Sequence, residues 1–176
     1  LPHSFFISEY GQDKKYDSGK DPFKISMGAL HELTTRFTSE FAIRTFLIQQ
    51  QDRTLSQVTE WLNDSNPHVR RLCSEGTRPK LPWGKRIPAL VADPRPTLPI
   101  LEALKSDHSL YVRRSVANHL GDIAKNHPEI VFETCDRWLQ AGASANVKWI
   151  IRHAVRHPAK KGNAAALKIR AAAKGR

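Results

Sequence analysis

Apolar residues recur at helical spacing along most of the chain, and no segment shows the period of two that a strand requires. This pattern predicts helices over residues 25–37, 97–104, 110–125, 129–139, 146–156 and 164–173. Three more are predicted to begin near Ser39, Asp52 and Pro67, with Ser39 and Asp52 as caps. Residues 13–22 are polar and interrupted by Gly and Pro, which indicates a loop. The predicted fold class is all-α.

A short motif recurs within this helical pattern. His68-Val69-Arg70-Arg71-Leu72 is followed 43 residues later by Tyr111-Val112-Arg113-Arg114-Ser115, and after another 38 by Trp149-Ile150-Ile151-Arg152-His153. Helix pairs at such intervals are typical of HEAT-like repeats, which stack into an α-solenoid with a concave face. We therefore expect Arg71, Arg114 and Arg152 to line up as one basic ridge on that face.

The charge of the chain indicates what kind of partner it binds. The chain has 28 Lys and Arg against 17 Asp and Glu, a formal net charge of +11, and residues 137–176 contain ten cations and no acid. Such an excess favours a polyanion, most often nucleic acid, over an anionic membrane surface or a role in solubility. Lys148, Arg152 and Arg156 are spaced four apart, so we expect them on one helix face toward that partner.

Other classes of protein fit the sequence less well. No apolar run approaches the roughly 18 residues that span a bilayer, and the first residues lack the pattern of a signal peptide. Two cysteines do not make a disulfide framework. We expect a protein of the bacterial cytoplasm that has no membrane partner and is associated with the nucleoid when bound to DNA.

The stretch from Ser74 to Trp83 interrupts the helical pattern. It combines a carboxylate, a glycine, two prolines, two cations and an indole without any period. Loops of this kind disproportionately carry function, and we expect the functional site to be built around this one.

Two carboxylates stand in basic surroundings. Glu75 lies between Arg71 and Arg78, and Asp122 lies on the helix whose first turn holds Arg113 and Arg114. An acid on a surface that binds a polyanion weakens binding unless it has a task. The residues alone leave two hypotheses open. In the first, each acid has a structural role and orients an arginine or caps a turn; in the second, each takes part in catalysis.

Metal and cofactor motifs are weak. His153 and His157 have the i, i+4 spacing of zinc ligands but lack a third ligand, and neighbouring arginines oppose a cation. There is neither a phosphate-binding glycine loop nor a nucleophile elbow. We expect no metal and no cofactor.

Several blocks of the sequence resemble the HEAT-like-repeat DNA alkylation-repair glycosylases, specifically the AlkC branch of the AlkC/AlkD family. The most specific is Val69–Trp83, VRRLCSEGTRPKLPW, and the resemblance extends over most of residues 30–165. The other blocks are Ser39–Arg44, Tyr111–Lys125 and Trp149–His153. Val155-Arg156-His157 departs from the Ile-Gly-Trp of AlkD-type relatives, so no second catalytic aromatic is predicted on that helix.

The resemblance implies a glycosylase that works as a monomer on duplex DNA containing alkylated bases. It implies hydrolytic excision, chiefly of 3-methyladenine-type lesions, without a lyase step and without flipping the base into a deep pocket. Its implied catalytic residues are Glu75, Asp122, Trp83 and Glu40. From the charge pattern and the resemblance together, the predicted DNA-binding residues are Arg71, Arg78, Arg113, Arg114, Lys148, Arg152 and Arg156.

The predicted domain organisation is an N-terminal lead-in over residues 1–30 and a repeat domain over residues 31–176. A rival function is a non-catalytic HEAT-repeat scaffold that binds DNA or an acidic protein. An RNA-binding solenoid ranks last, because Trp61, Trp83, Trp138 and Trp149 do not follow the repeat.

Overall fold

A computed structural model describes residues 2–13, 15 and 20–174, and this part of the chain is helical, with no strand. Short 3-10 turns occur at Trp61–Asn63 and Arg95–Thr97. The prediction of an all-α, HEAT-like-repeat α-solenoid is confirmed. The helices are α1 (Pro2–Tyr10), α2 (Pro22–Arg36), α3 (Ile43–Gln49), α4 (Gln51–Glu60), α5 (Pro67–Gly76), α6 (Pro88–Ala92), α7 (Leu98–Leu104), α8 (Leu110–Ile123), α9 (Pro128–Gln140), α10 (Ala145–Ala154), α11 (Arg156–Lys160) and α12 (Ala164–Ala172).

Three equivalent helices form the centre of the molecule, with α8 packed against α5 on one side and α10 on the other. Each follows a polar N-cap residue, Asn66, Ser109 or Ser144. Three positions after each cap stands a fully or almost fully buried valine. These valines are Val69, Val112 and Val147.

These equivalent positions show that the third copy of the motif was aligned incorrectly in the sequence. Counted from the cap, the position of Arg71 and Arg114 is occupied in α10 by Trp149, not by Arg152. The Arg152 guanidinium instead donates to the carbonyl of Ala173, 2.6 Å away. The predicted ridge of Arg71, Arg114 and Arg152 was therefore wrong in its third member, because α10 has a tryptophan at the position where α5 and α8 have an arginine.

The helix predicted over 146–156 is also shorter than expected, since α10 ends at Ala154. Pro158 explains the break: its ring has no N–H and would clash with the carbonyl four residues earlier, that of Ala154. Arg156 begins the separate helix α11 and does not share a helix with Lys148 and Arg152.

Further differences occur in the N-terminal part. Helix α1 was not predicted, whereas the predicted loop at 13–22 lies partly outside the described residues. Ser39 does not cap α3, because its hydroxyl donates to the carbonyl of Leu30 and the helix begins only at Ile43. Asp52 lies inside the first turn of α4, which Gln50 precedes as N-cap residue. The domain boundary at residue 30 stays a prediction, and α2 runs across it.

One hydrophobic core runs through the repeats, and it includes Phe46, Leu72, Val116 and Ile150. Two free cysteines, Cys73 and Cys135, are buried in this core. Burial raises the pKa of both thiols, that of Cys135 to about 12. Among the described residues, no helix is long and apolar enough to cross a membrane.

Candidate active site

The last turn of α5 is held by side chains. Thr77 Oγ1 donates to the carbonyl of Cys73 (2.7 Å), His119 Nδ1 lies 2.9 Å from the carbonyl of Ser74, and Arg44 Nη1 donates to the carbonyl of Gly76 (3.0 Å). Helix ends leave carbonyls without intrahelical partners, so these contacts supply the missing donors. Glu75 is therefore fixed through the backbone on both of its sides.

Gly76 allows α5 to approach α3 closely. A Cβ at this position would stand 2.6 Å from Cγ2 of Ile43, nearer than packed atoms tolerate. The absence of a side chain thus permits the last turn of α5, which carries Glu75, to pack closely against α3.

Six charged side chains of alternating sign form what we call the ion-pair network. Every neighbouring pair along it lies within 3.5 Å. Three carboxylates and three cations balance in charge, which lowers the cost of burying the enclosed members, while Lys125 at one end is exposed. In order, its members are Glu40, Arg71, Glu75, Arg78, Asp122 and Lys125.

Arg78 bridges the two acids at the centre of this network. Its Nη1 lies 2.6 Å from Oε1 of Glu75, and its Nη2 lies 2.6 Å from Oδ2 of Asp122. Ser115 donates to the other oxygen of Glu75 (2.6 Å), and Lys125 donates to the other oxygen of Asp122 (2.8 Å). The two predicted catalytic carboxylates are thus brought together, buried and held in fixed orientations by one guanidinium.

Arg71 and Glu40 form the end of the network that lies next to α3. The Arg71 guanidinium lies 3.1 Å from Glu40 and 3.5 Å from Glu75, and it stands over the ring of Tyr111 at 5.0 Å. Glu40 lies in the turn before α3 and is mostly buried. The structure therefore places Glu40 in the same network as Glu75.

Trp83 lies in what we call the Trp83 segment, residues 77–87 between α5 and α6. Its indole is 98% exposed, and its backbone φ is +66°, the left-handed conformation that bulky residues avoid. Such a conformation costs about 1–3 kcal/mol and persists only where the surroundings impose it. An exposed aromatic on strained backbone has no packing role, which favours a ligand contact.

A polar cleft of about 620 Å³ opens beside Asp122. Arg156, Lys160 and Arg170 line it, and in the described part of the chain none of these three pairs with a carboxylate. The cleft is therefore strongly electropositive and suits an anion. Its lining residues are Arg78, Pro82, Asn118, Gly121, Asp122, Lys125, Ala154, Arg156, His157, Lys160 and Arg170.

His153 borders this basic region. Burial, followed by the charges of Arg156 and Arg114, lowers the pKa of His153, so its neutral form is favoured. Its Nε2 lies 2.9 Å from Oδ1 of Asn118. No group of His, Cys, Asp or Glu that could hold a metal ion occurs among the described residues.

The predicted DNA-binding residues divide into two sets. Arg71 and Arg78 belong to the ion-pair network, while Arg113 and Arg152 donate to the carbonyls of Asp107 and Ala173. The other three are half-buried or exposed, and Arg156 among them lines the cleft and also donates to the carbonyl of His153 (2.7 Å). These three are Arg114, Lys148 and Arg156.

Sequence reasoning missed four residues of this region. Lys125, Lys160 and Arg170 line the cleft; the acid-free run of residues 137–176 pointed to the last two without singling them out. The fourth, Arg44, is a cation inside an otherwise apolar stretch of α3, and only that contrast could have drawn attention to it.

The chain is similar to known proteins in both fold and sequence. The fold resembles that of Pseudomonas fluorescens alkylpurine DNA glycosylase AlkC bound to DNA containing an abasic site analogue, with a TM-score of 0.82 and 46% identity. The match covers 94% of this chain and 45% of that one. The uncharacterized protein YhaZ of Bacillus subtilis (strain 168) is 51% identical over 144 residues, which are 82% of this chain and 40% of YhaZ. No model of a known protein family matches the sequence.

Fold and site together define a helical-repeat protein with buried, paired carboxylates beside a basic cleft. In both sequence and structure the chain is AlkC-like, and it spans less than half the length of either relative.

Proposed function

We propose that the chain is the DNA-binding and catalytic part of a monofunctional DNA glycosylase that excises 3-methyladenine-type bases from duplex DNA. The observation that supports this most directly is the buried pair Glu75 and Asp122, joined by Arg78 at the edge of the basic cleft. The similarity to AlkC supports the same reaction class. The place of action is then the cytoplasm, at the nucleoid.

The chemistry suits two fixed carboxylates. A purine alkylated at a ring nitrogen is cationic, so it leaves readily with the electron pair of the glycosidic bond and becomes neutral. The sugar is left with oxocarbenium character, which a nearby carboxylate stabilises. Water then bonds to C1′ and gives its proton to a carboxylate or to solvent.

The other residues have supporting roles in this proposal. Trp83 presents an exposed indole face to the sugar or to the cationic base, and such contacts are stabilising. Cations of the cleft contact the phosphates on either side of the lesion. Glu40 holds Arg71, which in turn orients Glu75.

The decisive experiment is release of methylated bases from methylated duplex DNA by the intact chain, by Glu75→Gln and by Asp122→Asn. We expect the intact chain to release 3-methyladenine and each variant to be slower by about 100-fold or more, as for loss of one stabilising group at a developing charge. Glu32→Gln, an exposed acid of α2, is the matched control and should keep full activity.

DNA affinity measured in parallel separates this proposal from its rival. A glycosylase keeps DNA binding in both variants and loses turnover. If the intact chain binds duplex DNA in a salt-sensitive manner but releases no base, and both variants bind equally well or better, the chain is a scaffold and the proposal is wrong.

A further inference from the structure

Arg44 is a buried cation without a carboxylate partner. Its side chain in α3 is fully buried, and none of the ion pairs among the described residues includes it. Its guanidinium instead donates to four backbone carbonyls, those of Gly76 (3.0 Å), Arg78 (2.7 Å), Pro79 (3.3 Å) and Lys85. All four lie at the end of α5 or in the Trp83 segment.

The four carbonyls compensate a charge that is shielded from water. Burial, and then the charge of Arg78, lowers the pKa of Arg44 to about 10, so the side chain remains protonated at neutral pH. A desolvated cation must be compensated by polar partners. Here these partners are supplied by an irregular loop, whose own carbonyls would otherwise be unsatisfied.

The contacts lie on both sides of Trp83. Pro79 precedes it by four residues and Lys85 follows it by two, so one planar guanidinium ties both arms of the loop to α3. Gly84 packs directly on this anchor: a Cβ there would stand 3.2 Å from both Cδ and Nε of Arg44. The left-handed backbone of Trp83 therefore lies between two points that Arg44 fixes.

We propose that Arg44 is a positioning residue, which holds the Trp83 segment in the conformation that presents the indole to DNA and keeps Glu75 and Arg78 in register. It touches no substrate and acts only through the loop. This inference rests on the proposed function, since the loop matters for base excision only if Trp83 and Glu75 take part in it.

The first test is a double-mutant cycle in single-turnover base release, with Arg44→Lys, Trp83→Ala and the double variant. A lysine keeps the charge but cannot reach four carbonyls at once. We expect Arg44→Lys to slow release by about 10- to 100-fold, as loss of positioning does, with DNA affinity essentially unchanged. Because the two residues share the Trp83 segment, the double variant should be slowed by less than the product of the two single effects.

The second test does not depend on activity. Hydrogen exchange of amides in residues 77–87 should become faster by about tenfold or more in Arg44→Lys, while amides of α8 and α10 keep their protection. Gly84→Ala disturbs the contacts of Arg44 without removing the cation, so amide exchange in residues 77–87 should also become faster, but by less. If Arg44→Lys does not fold, the exchange measured in Gly84→Ala tests the proposal. Arg36→Lys, an exposed arginine of α2, is the matched control.

The outcomes are distinguishable from failure of the proposed function. If the unmodified chain releases no base, the glycosylase proposal is wrong, and faster exchange in residues 77–87 still supports the anchoring role. If exchange in that segment is unchanged in both variants, or if the effects of Arg44→Lys and Trp83→Ala multiply, Arg44 does not act through the Trp83 segment.

Discussion

His119 shows how a single buried side chain supports the site. It is fully buried behind Glu75, and its Nδ1 lies 2.9 Å from the carbonyl of Ser74. Burial, and then the charge of Arg78, lowers the pKa of His119 to about 3. The side chain is therefore neutral at pH 7, and a neutral imidazole can donate to a carbonyl without adding charge.

This shift makes stability depend on pH in a defined window. In the unfolded chain a histidine titrates near pH 6.5, whereas His119 in the folded state does so near 3. Between these values the unfolded state binds one more proton, so the free energy of unfolding falls by about 1.4 kcal/mol for each unit that the pH decreases. Above pH 7 the contribution is complete and constant.

Replacing His119 with Asn keeps an N–H near the carbonyl of Ser74 and removes the titration. We expect the stability difference between the variant and the unmodified chain to be constant above pH 7 and to shift in favour of the variant from pH 6.5 downward, as measured by urea unfolding. His3→Asn, at an exposed histidine, should leave the profile unchanged. An identical difference at pH 5 and pH 7 would contradict a neutral, buried His119.

At the scale of secondary-structure elements, turns with the same hydrogen bonds precede α5 and α8. Before α5, the carboxylate of Asp64 accepts from the N–H of Asn66 (2.8 Å), and its carbonyl accepts from Arg70 (2.7 Å). Before α8, Asp107 does the same with Ser109 (2.8 Å) and Arg113 (2.6 Å). Arg70 and Arg113 are therefore equivalent residues that fix the start of their helix, a role that the repeated Val-Arg-Arg motif did not reveal.

Asp107 also links the two repeats, because its carboxylate pairs with Arg70 at 2.6 Å and both side chains are buried. Burial alone would raise the pKa of Asp107, but hydrogen bonds from Arg70 and Ser109 outweigh burial and lower it. We expect Asp107→Ala to destabilise the chain by about 3–5 kcal/mol in urea unfolding, since the buried charge of Arg70 would lose its carboxylate partner.

Asp93 offers a matched control for this prediction. It caps a turn and pairs with Arg95 in the same manner, but both side chains are largely exposed. Asp93→Ala should change stability little. Equal effects of the two substitutions would show that Asp107 acts only as a turn residue and that the buried pair does not couple α5 to α8.

The sequence predicted most long helices and the solenoid, because the apolar period of each amphipathic helix depends on local residues alone. It failed where the outcome depends on distant contacts. The role of Arg44 arises from carbonyls 32 to 41 residues away, and Arg78 bridges two acids of which one lies 44 positions on. The register of α10 was missed because Trp149 hides the motif that Val147 still marks.

At the scale of the whole molecule, the uneven charge predicts how DNA binding responds to salt. Under the proposed function, each cation that neutralises a phosphate contributes about one unit to the slope of log affinity against log salt concentration. We expect Lys160→Gln and Arg170→Gln each to reduce that slope by about one and to weaken binding equally for methylated and unmethylated duplexes. Fluorescence anisotropy at several salt concentrations measures this.

Lys24→Gln removes the same charge from α2, outside the cleft, and is the control. It should leave the slope nearly unchanged. If all three substitutions have the same effect, binding follows net charge alone, and the cleft is not where the phosphates lie.

The two buried cysteines have a consequence for chemical durability. Methylating agents that damage DNA also attack protein nucleophiles, and a thiolate is far more reactive toward them than a thiol. Cys73 and Cys135 are enclosed in the core and held in the thiol form by their raised pKa values. Under the proposed function, we therefore expect neither thiol to be a ready target of the electrophiles that create the substrate.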